Sequence, residues 1–200
     1  MNHLIVDQIT AYDFIKATIS MEVPTLWRDL AGKPLKDIRF TKCPAASGHN
    51  HNPHHTGEGG LLIHTAQVLQ IALGMGRACG VGCFKVPETV IAAVWHDYGK
   101  VQDYISVDDP EDDPYFSRDS DGKYTKTRHY SLCRHLVRSV IAINAEERSS
   151  LTGIDWLLVE HIMLSHHGRH EWGSPVEPQT PEAWAVHAAD MMSAQFLGMQ

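Results

Sequence analysis

The sequence predicts an all-α domain carrying one small β-hairpin. Apolar residues recur at helical spacing in the long segments, and helix start and stop residues punctuate them. One DSDG tetrapeptide, flanked by YFSR and KYTKT, supplies the only hairpin signal. Composition agrees: of 200 residues, 43% are hydrophobic and 20% charged, a globular balance for one domain with a sizeable core.

Residues 7–20 read as an amphipathic helix, with Ile9, Phe14, Ile15 and Ile19 at helical spacing. Residues 33–58 are broken by Pro, Gly, Asn and His and read as a loop. Gly59–Ala78 is a helix with Leu61, Leu62, Thr65, Val68, Leu69 and Leu73 on one broad stripe. Pro87 suits the first turn of the next helix, expected to run to about Tyr98 and to stop at Gly99. Its run Val90–Trp95 is wholly apolar, so this helix belongs in the centre of the domain. Residues 102–114 read as an acidic loop leading into the hairpin, and 129–145 and 151–167 read as helices, the second ending at Gly168. After a Pro-rich loop over 169–180, Thr180 as N-cap and Pro181 at the first position open a last helix.

Charge narrows the function. The net charge is −7, and residues 103–121 hold eight acids against one base, Arg118, so the remainder is balanced. There is no basic footprint for duplex DNA. No apolar run approaches the roughly 18–20 residues that span a bilayer, and the N-terminus lacks the basic region of a signal peptide. The expectation is a soluble cytoplasmic protein with no membrane partner. Cys43, Cys79, Cys83 and Cys133 show no disulfide framework and read as free thiols.

The unusual number is 14 histidines. His96-Asp97 follows six apolar residues at the end of the central helix, where both need partners. Adjacent helical residues point about 100° apart. The pair therefore suits a carboxylate lying between two ions, with the His on one of them. His64 sits on the apolar stripe of its helix, and His135 lies between apolar neighbours after the hairpin. His166-His167 end another helix, and Asp190 follows two alanines in the last. Any one of them alone reads as a satisfied core residue. Ligand-type groups on so many apolar helices read as a set, and imidazole with carboxylate suits Zn, Fe, Mn, Co or Ni.

The order His64…His96-Asp97…Asp190 resembles the H…HD…D signature of the HD-domain metal-dependent phosphohydrolases. Longer stretches, GGLLIHT (59–65), HDYGK (96–100), LSHHG (164–168), EWGSP (171–175) and HAAD (187–190), are similar to the HD domain of YhaM-type bacterial 3′–5′ exoribonucleases. The resemblance spans about residues 40–195. It implies a compact HD-domain helical bundle over 1–200, with a helical arm over about 1–32 and the core over about 40–197. It implies an enzyme that hydrolyses a phosphoester of a nucleotide or short oligonucleotide. The other readings are a nucleoside 5′-phosphate or dNTP phosphohydrolase and a non-catalytic nucleotide-binding module.

Carried over residue by residue, a first divalent transition-metal ion takes His64, His96, Asp97 and Asp190. A second takes Asp97 as bridge with His135, His166 and His167. In this assignment His129 stays open as the alternative to His135, and His161 as the alternative to His166. Five residues set His161 and His166 about 140° apart on a helix, so His161 reads better behind the site, as does His187. Two ions roughly 3.5–4 Å apart support in-line attack of an activated water on phosphorus. Asp97 and Lys100 are the catalytic candidates. Lys100, His54, His55 and Arg169 are the candidates for a substrate phosphate, and Trp172 and Tyr98 for a base. The exoribonucleases resemble a fusion with an OB-fold ahead of the HD region; the residues before 40 here read helical, so no OB-fold is expected in them. Substrates are therefore expected to be short, single-stranded or mononucleotide.

Overall fold

The computed structural model describes residues 4–46, 55–80, 82, 84–106 and 124–195. Helices dominate, with one two-stranded antiparallel sheet among the described residues. Within them no helix is long and apolar enough to cross a membrane.

The chain opens with α1 (Gln8–Glu22), whose first turn is capped by Asp7 accepting from the Thr10 N–H. Short turns follow: α2 (Arg28–Ala31) and α3 (Ile38–Lys42). The expected loop over 33–58 thus begins with helical structure, a 3₁₀ turn at Pro34–Lys36 and then α3. Asp37 caps α3 by accepting from the Arg39 N–H, a signal hidden by the neighbouring Pro and Lys.

Helix α4 (Gly60–Cys79) is buried along most of its first three turns, and α5 (Val86–Trp95) is buried from Glu88 to its end. Val90–Val94 are fully inaccessible, and the Trp95 indole N–H donates to the Leu30 carbonyl at 3.1 Å. The expected central helix is therefore present but shorter. It ends at Trp95, and a 3₁₀ turn over Tyr98–Gln102 runs through Gly99. Gly99 is not a left-handed stop: a Cβ there would lie 2.4 Å from the His135 carbonyl oxygen. Its missing side chain allows two backbones to touch.

Strand β1 (Tyr104–Ser106) pairs with β2 (Tyr124–Lys126), Ile105 opposite Thr125. The KYTKT half of the expected hairpin is a strand, but its partner is the stretch read as the start of the acidic loop. YFSR and DSDG lie outside the described residues. Beyond β2, the expected helix over 129–145 is broken into α6 (Arg128–Leu132) and α7 (His135–Ala142). The break is Arg134, a non-glycine at φ 56°. Helix α8 (Ala145–Ser150) starts with a reciprocal Asn144–Glu147 capping box. Helix α9 (Trp156–Ser165) begins five residues later than expected because Asp155 caps it through the Leu158 N–H. Gly168, at φ +85°, turns the chain after it. Helix α10 (Pro181–Gln195) opens as its sequence dictates, the Thr180 hydroxyl accepting from the Ala183 N–H.

One apolar cluster joins these helices around α5. It includes Ala11, Ile15 and Ile19 of α1. The C-terminal end of α5 emerges from this cluster pointing at α4, α7, α9 and α10.

Candidate metal centre

His96 follows the last residue of α5 with helical dihedrals, and Asp97 then departs to φ −108°, ψ 6°. That departure overcomes the roughly 100° fan expected of adjacent helical residues. His96 Nε2 and Asp97 Oδ2 lie 3.4 Å apart and face the same point. His64 from α4 and Asp190 from α10 complete the group. His64 Nε2 is 3.0 Å from Asp190 Oδ1, 3.3 Å from Asp97 Oδ2 and 3.3 Å from His96 Nε2. One donor atom from each of the four residues falls within 4.8 Å of the others.

A second group stands on the other side of Asp97. His135 opens α7, and His166 and His167 follow α9; their donor atoms also lie within 4.8 Å of one another. Asp97 Oδ1 is 3.2 Å from His135 Nε2 and 3.5 Å from His166 Nε2. One oxygen of Asp97 thus serves each group.

Hydrogen bonds on the far sides of the rings decide what the donors present. His96 Nδ1 lies 2.7 Å from the Ala93 carbonyl and His166 Nδ1 2.7 Å from the Met163 carbonyl. His167 Nδ1 meets the Trp172 carbonyl at 3.3 Å, and His135 Nδ1 approaches Asp103 Oδ2 at 3.4 Å. Carbonyls and carboxylates only accept, so each Nδ1 carries the proton and each Nε2 offers a lone pair inward. His135 Nε2 and His167 Nε2 are then two lone pairs 3.2 Å apart. His166 Nε2 and both oxygens of Asp97 are buried without a properly directed hydrogen bond. Buried lone pairs pressed together are costly unless a cation sits among them. The residues present fit divalent ions of borderline softness.

The titration directions agree. Burial lowers the His96 and His135 imidazoles and takes His167 down to about 3, so these rings are neutral, as metal ligands must be. Burial also pushes His64 down, but the Asp190 and Asp97 carboxylates outweigh it and raise the ring. Burial opposes ionisation of Asp97, yet Lys100, His96 and His135 hold it well below the carboxylate range. Asp190 is likewise lowered against its burial, by His64.

Three supports were not legible in the sequence. Gln67 on α4 is fully buried, and its Nε2 donates to the Ile5 carbonyl at 2.6 Å, which fixes the amide. Its Oε1 accepts from the Ser193 hydroxyl at 2.8 Å, and Ser193 Oγ in turn accepts from His64 Nδ1 at 2.9 Å. The direction of this chain leaves His64 Nε2 bare for a ligand bond. Asp103, counted above with the acidic loop, is fully buried and holds His129 Nδ1 at 2.6 Å beside its contact with His135. His129 Nε2 accepts from Arg138, so His129 lies behind the site and His135 in it. His161 accepts from the Gln179 N–H, away from both groups. His187 Nδ1 donates to the His166 carbonyl at 2.8 Å, and its ring occupies the space a Gly168 side chain would need.

The centre opens into a cleft of about 520 Å³ lined in part by His55, His64, Lys100, His167, Trp172 and Asp190. Lys100 Nζ lies 2.5 Å from Asp97 Oδ2 and is raised by that carboxylate against its own burial. It does face the site, but through an ion pair with a ligand. His55 is buried, donates from Nε2 to Gln67 Oε1 at 3.0 Å, and is taken down to about 3 by burial, so it is a neutral ring. The Arg169 guanidinium stands 5.4 Å from the centre of the Trp172 ring. Tyr98 donates to Asp37 at 2.7 Å and packs on Phe40 and Trp95, which removes it from the base-stacking candidates. His54 lies outside the described residues.

The family model described as HD domain matches residues 61–195. A 3′–5′ exoribonuclease YhaM of Listeria innocua is 30% identical over 191 residues, 94% of this chain and 53% of the relative. The exoribonuclease YhaM of a Geobacillus strain is 28% identical over 192 residues, covering 94% and 51%. That of Shouchella clausii is 27% identical over 159 residues, covering 78% and 43%. The chain spans about half the length of these curated relatives. No solved structure matches.

Proposed function

The chain belongs to the HD-domain family of metal-dependent phosphohydrolases, and from that premise we propose that it hydrolyses the 3′-terminal phosphodiester of a short single-stranded oligonucleotide. The observation that carries this reading is Asp97, one buried carboxylate shared by two sets of inward-facing imidazole lone pairs, beside a nucleotide-sized cleft that His64, His167, Lys100 and Asp190 line. The YhaM-type relatives, named as 3′–5′ exoribonucleases, support the choice of RNA.

His64, His96, Asp97 and Asp190 would hold one divalent ion and Asp97, His135, His166 and His167 another; such ions would supply Lewis acidity at phosphorus and lower the pKa of water. The chain's own residues do the rest. Asp97 fixes the spacing of the two ligand groups. Carbonyls behind His96, His166 and His167, Asp103 behind His135 and Ser193 behind His64 keep the Nε2 atoms bare and aimed. Lys100, reaching the cleft from the turn after Asp97, sets a positive charge beside the position of a substrate phosphate. Buried apolar walls of α4 and α5 keep bulk water from the ligands' far sides.

The cleft volume also admits one nucleotide alone, which favours mononucleotide or dNTP hydrolysis as the second reading. A hydrolysis panel with Mn²⁺ separates the two: 3′-labelled RNA pentamers, dNTPs, nucleoside 5′-monophosphates and cyclic nucleotides, each with wild type and Asp97→Ala. Release of 3′-terminal nucleotides, lost in the variant, supports the exonuclease reading. Turnover of mononucleotides alone replaces it with the second, and no turnover at all leaves a binding module.

A further inference from the structure

Beyond the ligands, one side of the cleft is aromatic and exposed. Trp172 lines the cleft with its ring 48% exposed, and Trp184 on α10 is 56% exposed. His187 sits between them, 6.1 Å from the Trp172 ring at 31° and 5.9 Å from the Trp184 ring. Trp184, His187 and Asp190 occupy successive turns of one helix. The row therefore starts at a ligand and runs outward by roughly 9 Å at 1.5 Å per residue. That is a stride of one to two nucleotides. Neither indole belongs to the apolar core. Trp172 is also held rigidly: its own carbonyl accepts from His167, and its N–H donates to the Arg169 carbonyl at 3.0 Å.

We propose that Trp172 and Trp184 form a base-stacking platform, the 3′-terminal base of a single-stranded oligonucleotide lying on Trp172 and the preceding base on Trp184. Every base presents a π-face, so the platform binds without reading sequence. The Arg169 guanidinium over Trp172 adds a cation beside the same ring. Stacking supplies the hold that a chain without a basic surface cannot obtain from phosphates. The inference rests on the proposed oligonucleotide reading and adds where the bases go.

The test is a cycle between protein and ligand, read as binding of phosphorothioate-linked RNA to the metal-loaded protein, so that hydrolysis is suppressed. Two RNA pentamers are titrated against wild type, Trp172→Ala and Trp172→Phe, one complete and one with an abasic 3′-terminal ribose; a third, abasic at the penultimate position, is titrated against Trp184→Ala. Removing the terminal base should weaken binding to wild type by about 5- to 150-fold, the usual worth of one stacked base. It should change binding to Trp172→Ala by under about twofold, and Trp172→Phe should restore most of the difference. Because the contact with His167 is made by the Trp172 backbone, it survives the substitution, and metal content confirms that. Equal sensitivity of wild type and Trp172→Ala to the abasic site overturns the platform. A platform that passes while no RNA is hydrolysed in the Mn²⁺ panel keeps the stacking site and discards the exonuclease reading. RNA hydrolysis with no Trp172-dependent base effect does the reverse.

Discussion

Ser193 is a single hydroxyl on which the orientation of His64 depends. It accepts from His64 Nδ1 and passes its own proton to Gln67, whose amide is pinned by the Ile5 carbonyl. Ser193→Ala leaves a buried N–H without an acceptor and frees the ring to turn. Metal affinity at the first group should fall by about 10- to 100-fold, measured by chelator competition, with an unchanged circular dichroism spectrum. Affinity equal to wild type would show that packing alone holds His64. Lys100→Ala, by contrast, should keep its metals and lose about 10- to 150-fold in kcat/KM. That range follows from the roughly 1.5–3 kcal/mol of a hydrogen bond to a charged group. A variant that loses its metals would mean that Lys100 acts by holding Asp97 in place. The candidate ligands stood out in the sequence because each breaks an apolar helical pattern. Gln67, Ser193 and Asp103 were not, because their partners lie far along the chain and only packing brings them together.

The helix ends aim the chemistry at the level of elements. His96, His135 and His166 all sit where a helix starts or stops, and the turn that releases each from helical spacing also points it. Gly99 shows how tight the fit is. The Gly99 N–H donates to the Ser139 hydroxyl at 2.9 Å while its Cα faces the His135 backbone. Gly99→Ala should push α7 away from the turn after α5 and destabilise the fold by about 1–3 kcal/mol, as overpacking does. Metal analysis should show the second group losing occupancy before the first. A variant with wild-type melting temperature and full occupancy would refute this contact as a constraint. The sequence showed a glycine after HDY, but a glycine demanded by close approach looks the same as one demanded by a left-handed turn. For the same reason the hairpin was half right. KYTKT had β-type residues, and its partner Tyr104–Ser106 lay hidden at the head of an acidic run.

For the whole molecule, the charge distribution predicts how binding responds to salt. Outside residues 103–121 the acids and bases balance, so few condensed counterions are displaced when an oligonucleotide binds. With one or two phosphates engaged, the slope of log K against log salt should be about −1, at roughly −0.7 per phosphate for single strands. A slope several times steeper would place a long stretch of polyanion on the surface and argue for a processive nuclease. The all-α class was legible from end to end because it rests on periodicity, and the candidate ligand set because it rests on residue type. The union of α1 with the core was not, because Ile15 and Ile19 read equally well on a detached amphipathic helix.

The candidate ligands His64 and Asp190 lie on α4 and α10, far apart in the chain, and His96 and Asp97 fall between them. An ion bonded to all four would knot the polypeptide as a disulfide does, but reversibly, and would shrink the unfolded ensemble only while it stays bound. The last ligand arrives only when α10 docks on α4. An ion can leave quickly only if α10 lifts, so exchange of the metal into a chelator should run at the rate of that opening, independent of chelator concentration once it is in excess.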